Sequence, residues 1–136
     1  MTKEKNQRIL HLVLKRKWWD MIESGEKPDE YRDFTDYWIK RLCDNPTFDK
    51  DGKIIGRKQI DDYTLKMCKH KGLDMAQMFR NGNMIPKEYD AVCFHRGYTN
   101  VTMLYEFKGT SIGYGNPAWG APTDKEVFII KLGKRI

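Results

Sequence analysis

The sequence predicts an α+β domain built on a small mixed or antiparallel sheet, one able to close into a barrel. Two periods coexist in it. Ile9 to Lys15 and Asn100 to Lys108 alternate apolar and polar side chains as strands do, whereas Trp18, Met21 and Ile22, then Phe34, Tyr37, Trp38 and Leu42, step by three and four as helices do. The order is also uneven: strand, helix, strand, helix, a helical stretch, then strand, strand, a long loop and a strand.

Taken in order, residues 1–8 form a polar arm. Leu10, Leu12 and Leu14 then alternate with His11, Val13 and Lys15. The helix around Trp18 is stopped by Gly25, and Pro28 forbids its continuation, so Asp29 to Asp33 should run extended. Asp33 or Thr35 can cap the second helix, and Asp44-Asn45-Pro46 should end it. Residues 44–88 read as a helical insert, with a turn at Asp49-Lys50-Asp51-Gly52-Lys53, a helix within Arg57 to His70 on the face of Ile60, Tyr63, Thr64, Met67 and Cys68, and a short helix from an Asp74 cap through Phe79. The turn has calcium-like acids but lacks the closing glutamate of a binding loop. Strands return at Asp90 to His95, Asn100 to Lys108 and Glu126 to Leu132, with a hairpin turn at Arg96-Gly97. Between the last two lies a glycine-rich loop, Gly109 to Pro122, of the length that usually serves a function.

A chain of 136 residues is one domain in size and should bury roughly two-thirds of its unfolded surface. Four tryptophans, seven tyrosines and six phenylalanines exclude a disordered chain. The net charge of +6 suits a polyanionic partner, or else a solvated basic surface. Three cysteines cannot pair completely, and the apolar runs are too short to span a bilayer, so a reducing, cytoplasmic setting without a membrane partner is expected. Cys68-Lys69-His70 has no second pair at zinc spacing, so neither metal nor cofactor is expected.

The most informative pattern is Gly25-x-Lys27-x-x-Glu30-x-Arg32. In its strand–helix–strand setting it resembles the signature of the ASCH domain, a branch of the PUA-like superfamily. The likeness covers Leu10 to Leu42, with Tyr37-Trp38 and Lys40-Arg41. It covers also Tyr89 to Gly133, with Asp90-Ala91-Val92, Tyr105-Glu106-Phe107 and Gly115-Asn116-Pro117-Ala118-Trp119-Gly120; residues 44–88 carry none of it. The resemblance implies a single ASCH domain over 1–136, a pseudo-barrel of about five or six strands with the signature lining a cleft, and a link to RNA. Some ASCH proteins are amidohydrolases that deacetylate acetylcytidine with a lysine, a threonine and a glutamate. That lysine matches Lys27, but the threonine falls on Glu30, so the hydroxyl nucleophile is missing.

Physically, Lys27, Glu30 and Arg32 place two cations and a carboxylate within one bend and one strand, with Glu30 and Arg32 on one face. They can hold a phosphate between the cations while Glu30 accepts from a base amino group, or they form an internal ion pair that closes the barrel. Glu106 is a second carboxylate, a site residue if its face points inward. His95 and Arg96 end a strand, Tyr114 and Trp119 can stack on a base from the glycine-rich loop, and Lys15 with Arg16 and Lys17 widens a basic rim. Trp18 and Trp38 fit core packing. The sequence thus points first to an RNA- or nucleotide-binding module using Lys15, Lys27, Glu30, Arg32, His95, Arg96, Tyr114 and Trp119. The alternatives are a small amidohydrolase of modified nucleosides using Lys27, Glu30 and Glu106, and an accessory domain whose insert meets a protein partner.

Overall fold

The computed structural model describes residues 7–136; the polar arm expected at the N-terminus lies, for residues 1–6, outside them. The alternating run becomes β1 (Ile9–Leu14), with Leu10, Leu12 and Leu14 buried. It pairs in parallel with β6 (Ala91–Arg96), which pairs antiparallel with β7 (Thr102–Gly113). β7 pairs with β8 (Val127–Arg135), and β8 with β2 (Asp29–Arg32), both antiparallel. The order is therefore β1-β6-β7-β8-β2, a curled half-barrel with β1 and β2 as its edges. Register shifts in β7 around Phe107 supply bend and twist, as extra residues in one strand of a pair do.

Helix α1 (Arg16–Glu23) packs back against the sheet, burying Trp19 and Ile22 in its core. Gly25 adopts φ +84°, a left-handed conformation that favours glycine, and releases the chain toward β2. Helix α2 (Asp36–Leu42) starts where the Thr35 side chain accepts from the Trp38 amide, and it buries Ile39 and Leu42. Phe94 and Leu12 sit at the centre of the core with no exposed surface.

The helical insert expected at 44–88 is instead half strand. Helix α2 passes directly into β3 (Cys43–Phe48), which is flanked by β4 (Ile54–Gln59) and β5 (Ile85–Pro86) in a second, three-stranded sheet. Asp44-Asn45-Pro46, expected to end a helix, lies inside β3. Pro46 is tolerated because β5 reaches only Cys43 and Asp44, so beyond them one side of β3 is an edge. The hairpin was hidden because β4 is almost wholly exposed and shows no alternation. Arg57 to Gln59 belong to it, and helix α3 (Asp62–His70) begins after the Asp61 cap and buries Leu65 and Cys68, leaving Tyr63 exposed. Helix α4 (Met75–Arg80) keeps its Asp74 cap. Ile60, Leu65 and Met84 share the core of Leu12 and Phe94, so the insert completes the domain.

The loop expected at Gly109 to Pro122 is displaced, because β7 runs on to Gly113. The connection is 114–126, with one turn of 3-10 helix at Pro117–Trp119. Among the described residues, no helix is long and apolar enough to cross a membrane.

Burial sets a stability trend with pH. It pushes the Cys43 thiol from its ordinary 9.0 up to about 12, with nearby Asp44 adding to the effect. Burial also raises the phenols of Tyr89 and Tyr105. Each group stays neutral in the fold at a pH where the unfolded chain ionises. Their contribution is therefore complete below the unfolded values and is lost as pH rises toward the folded ones. The urea midpoint should fall between about pH 8 and about pH 10.5, less so in Cys43→Ala; an unchanged midpoint would contradict this.

Candidate functional site

The two edge strands do not pair, and the seam between them is spanned by side chains. Arg32, on β2, donates from Nη2 to the Val13 carbonyl of β1 at 3.1 Å and from Nη1 to the Tyr31 carbonyl at 2.8 Å. Above this seam opens a cleft of about 520 Å³, within the range of small-molecule sites. Its floor is the Lys27-x-x-Glu30-x-Arg32 set, and its walls are Trp18 from α1 and Tyr37 and Trp38 from α2.

The floor is a buried charge network. Lys27 Nζ donates to Glu30 Oε1 at 2.8 Å, and the Tyr31 amide donates to the same oxygen at 2.9 Å. Lys27 and Glu30 are 2% and 3% exposed, so neither charge is solvated and each depends on its neighbours. Glu30 Oε2 stands 3.0 Å from Arg32 Nη1 but makes no directed hydrogen bond. The Arg32 donors point at backbone carbonyls, and the attraction is coulombic. One carboxylate thus serves two cations and retains an acceptor lone pair.

Each cation also carries a tryptophan. Lys27 Nζ lies 4.6 Å from the Trp18 ring centre and 5.3 Å from that of Tyr31; the Arg32 guanidinium lies 5.0 Å from the Trp38 ring. Cation–π attraction ties the two indoles to the charged floor, and Lys17 Nζ adds a second cation 4.8 Å from the Trp18 ring centre. Gly120, at φ +99°, presses its backbone against Trp18, where a Cβ would come within 2.9 Å of the ring.

Of the residues singled out in the sequence, Lys15, Lys27, Glu30 and Arg32 converge on this cleft. Lys27 and Arg32 are nevertheless committed to protein partners, so the phosphate expected between them has no free donor pair there; Lys15 is the exposed cation of the rim. Glu106 lies elsewhere, on the outer face of β7. Its carboxyl accepts from the Lys134 amide and pairs with Lys108, and both hold it below its ordinary range. Trp119 packs beside Tyr31 and Ala121, and Tyr114 is exposed; neither lines the cleft. His95 and Arg96 end β6 outside it, although His95 hydrogen-bonds His11, which does line it.

Trp18 and Trp38, expected in the core, pack against it while only partly buried, and both also line the cleft. Trp18 and Trp19 are neighbours about 100° apart on a helix, so one helix face cannot bury both; Trp19, beside Ile22, takes the core. The adjacent tryptophans were the available signal. The comparisons with known proteins leave the site to be read from its own chemistry: no family model, no curated protein and no solved structure matches the chain.

Proposed function

We propose that this chain binds single-stranded RNA or a nucleotide in the cleft between β1 and β2. One observation carries the reading: two tryptophans from separate helices stand over a positively charged floor, each braced by one of its cations. An unstacked base is recognised by aromatic faces and by donors and acceptors at its edge. The indoles supply the faces, while Glu30, closed off beneath them, holds Lys27 and Arg32 in place. Lys15 and the net charge of the chain attract the phosphates.

A labelled single-stranded oligoribonucleotide, followed by anisotropy, tests this. Affinity should fall steeply with salt and lose about 1–3 kcal/mol in Trp18→Ala or Trp38→Ala. Lys15→Ala should lower the salt slope by about one. Binding indifferent to both tryptophans would refute the proposal.

A hydrolytic reading draws on the same pair, since a lysine hydrogen-bonded to a carboxylate can relay protons. It ranks second because the cleft lining includes no serine, threonine or cysteine among the described residues. Loss of acetylcytidine turnover in Glu30→Gln would support it.

A further inference from the structure

The outer face of the β1–β6 ladder holds a cluster that the cleft does not explain. In the parallel register His11 lies beside Cys93 and Val13 beside His95. Cys93 and His95 are two apart on one strand and share a face, as do side chains paired across a ladder. The inner face of the same strands is apolar, with Leu10, Leu12, Val92 and Phe94 buried, so His11, Cys93 and His95 stand together on the other side. On β7 their register neighbours are Leu104 and Thr102, which bring no charge.

We propose that His11, Cys93 and His95 form a mononuclear site for a zinc-class divalent cation, with a fourth, exchangeable position. Their ligand atoms all lie within 4.8 Å of one another, and His11 Nδ1 is 2.9 Å from His95 Nε2. Tetrahedral zinc, with Zn–N of about 2.0–2.1 Å and Zn–S of about 2.3 Å, needs N···N near 3.3 Å and N···S near 3.6 Å. Small side-chain rotations therefore suffice, and no strand has to move. Two nitrogens and one thiolate are the donor set that borderline metals prefer over calcium or magnesium. In the metal-free pair one imidazole must donate to the other. On binding, that proton shifts to the other nitrogen of the same ring, both facing nitrogens present lone pairs, and Cys93 releases its proton to water. The proposal does not rest on nucleotide binding, although His11 also lines the cleft and is the one ligand that the two places share.

Titration of the untagged protein with Co²⁺, then Zn²⁺, tests it. One equivalent of Co²⁺ should raise a thiolate-to-metal charge-transfer band with tetrahedral d–d absorption, and Zn²⁺ should displace it. Cys93→Ser should abolish the charge-transfer band. His11→Ala and His95→Ala should weaken binding by more than the 10–100-fold that losing an outer-shell partner costs. His70→Ala, on the exposed end of α3, should change nothing. Because all three residues lie outside the core, circular dichroism should show the variants folded. Metal should also slow alkylation of Cys93 by a thiol reagent. No charge-transfer band at stoichiometric cobalt, a band that survives Cys93→Ser, or alkylation at an unchanged rate would overturn the proposal.

Discussion

Glu30→Ala is expected to lower the unfolding free energy by about 3–5 kcal/mol, the cost of leaving a buried charge without its partner. Its carboxylate faces both Lys27 and Arg32 and takes the Tyr31 amide as well. Without it, two cations share one cleft floor and a backbone N–H loses its acceptor. Removing a cation has the smaller consequence. In Lys27→Met the Glu30–Arg32 contact survives and an apolar chain of similar length fills the space under Trp18, so the cost should stay near 1–2 kcal/mol, about what single substitutions ordinarily cost. Urea denaturation of the two variants checks this directly; equal costs would mean that the network is not buried in the way described. The comparison also separates stability from binding, because Lys27→Met remains folded while Trp18 loses one of the two cations on its ring and keeps Lys17.

Phe94→Ala should cost about 3–5 kcal/mol, the range for deleting a buried aromatic ring. Phe94 has no exposed surface and sits between Leu12 on β1 and Met103 on β7. Its ring meets that of Tyr105 edge-on at 5.8 Å and 73°, and the Tyr105 hydroxyl donates to the Ile22 carbonyl at 3.1 Å. A cavity at Phe94 therefore loosens the tie between β7 and the C-terminal turn of α1, whose first turn carries Trp18. Denaturation should show the full loss, and the tryptophan emission should shift to the red before the main unfolding transition. Phe48→Ala, half exposed on the hairpin, should stay within about 0.5 kcal/mol. A Phe94→Ala cost of that small size would place the core elsewhere.

Much of the sheet was legible because burial there is one-sided. Leu10, Leu12 and Leu14 announce β1, and Met103 and Tyr105 announce β7, since a strand with one buried face writes its period into the residues. Gly25, Pro28 and Thr35 marked the breaks between the first elements for local reasons of φ and capping. The hairpin of the insert was not legible, because β4 buries neither face and β3 shows no alternation of buried and exposed residues. The same limit applied to Glu106. Its strand was readable, but which face looked inward depended on the curl of the sheet.

The sequence by itself determined an α+β domain, the first strand and the two helices that flank β2, and a Lys27–Glu30–Arg32 set on a bend and an extended strand, because each follows from local periodicity and backbone preference. Tertiary structure alone decided that β1 and β2 remain unpaired edges bridged by Arg32, that Trp18 and Trp38 wall the opening, and that His11 meets Cys93 and His95 across more than 80 residues of chain. Those relations arise from strand order and register, which are fixed by how the apolar faces pack together and by no residue's own propensity.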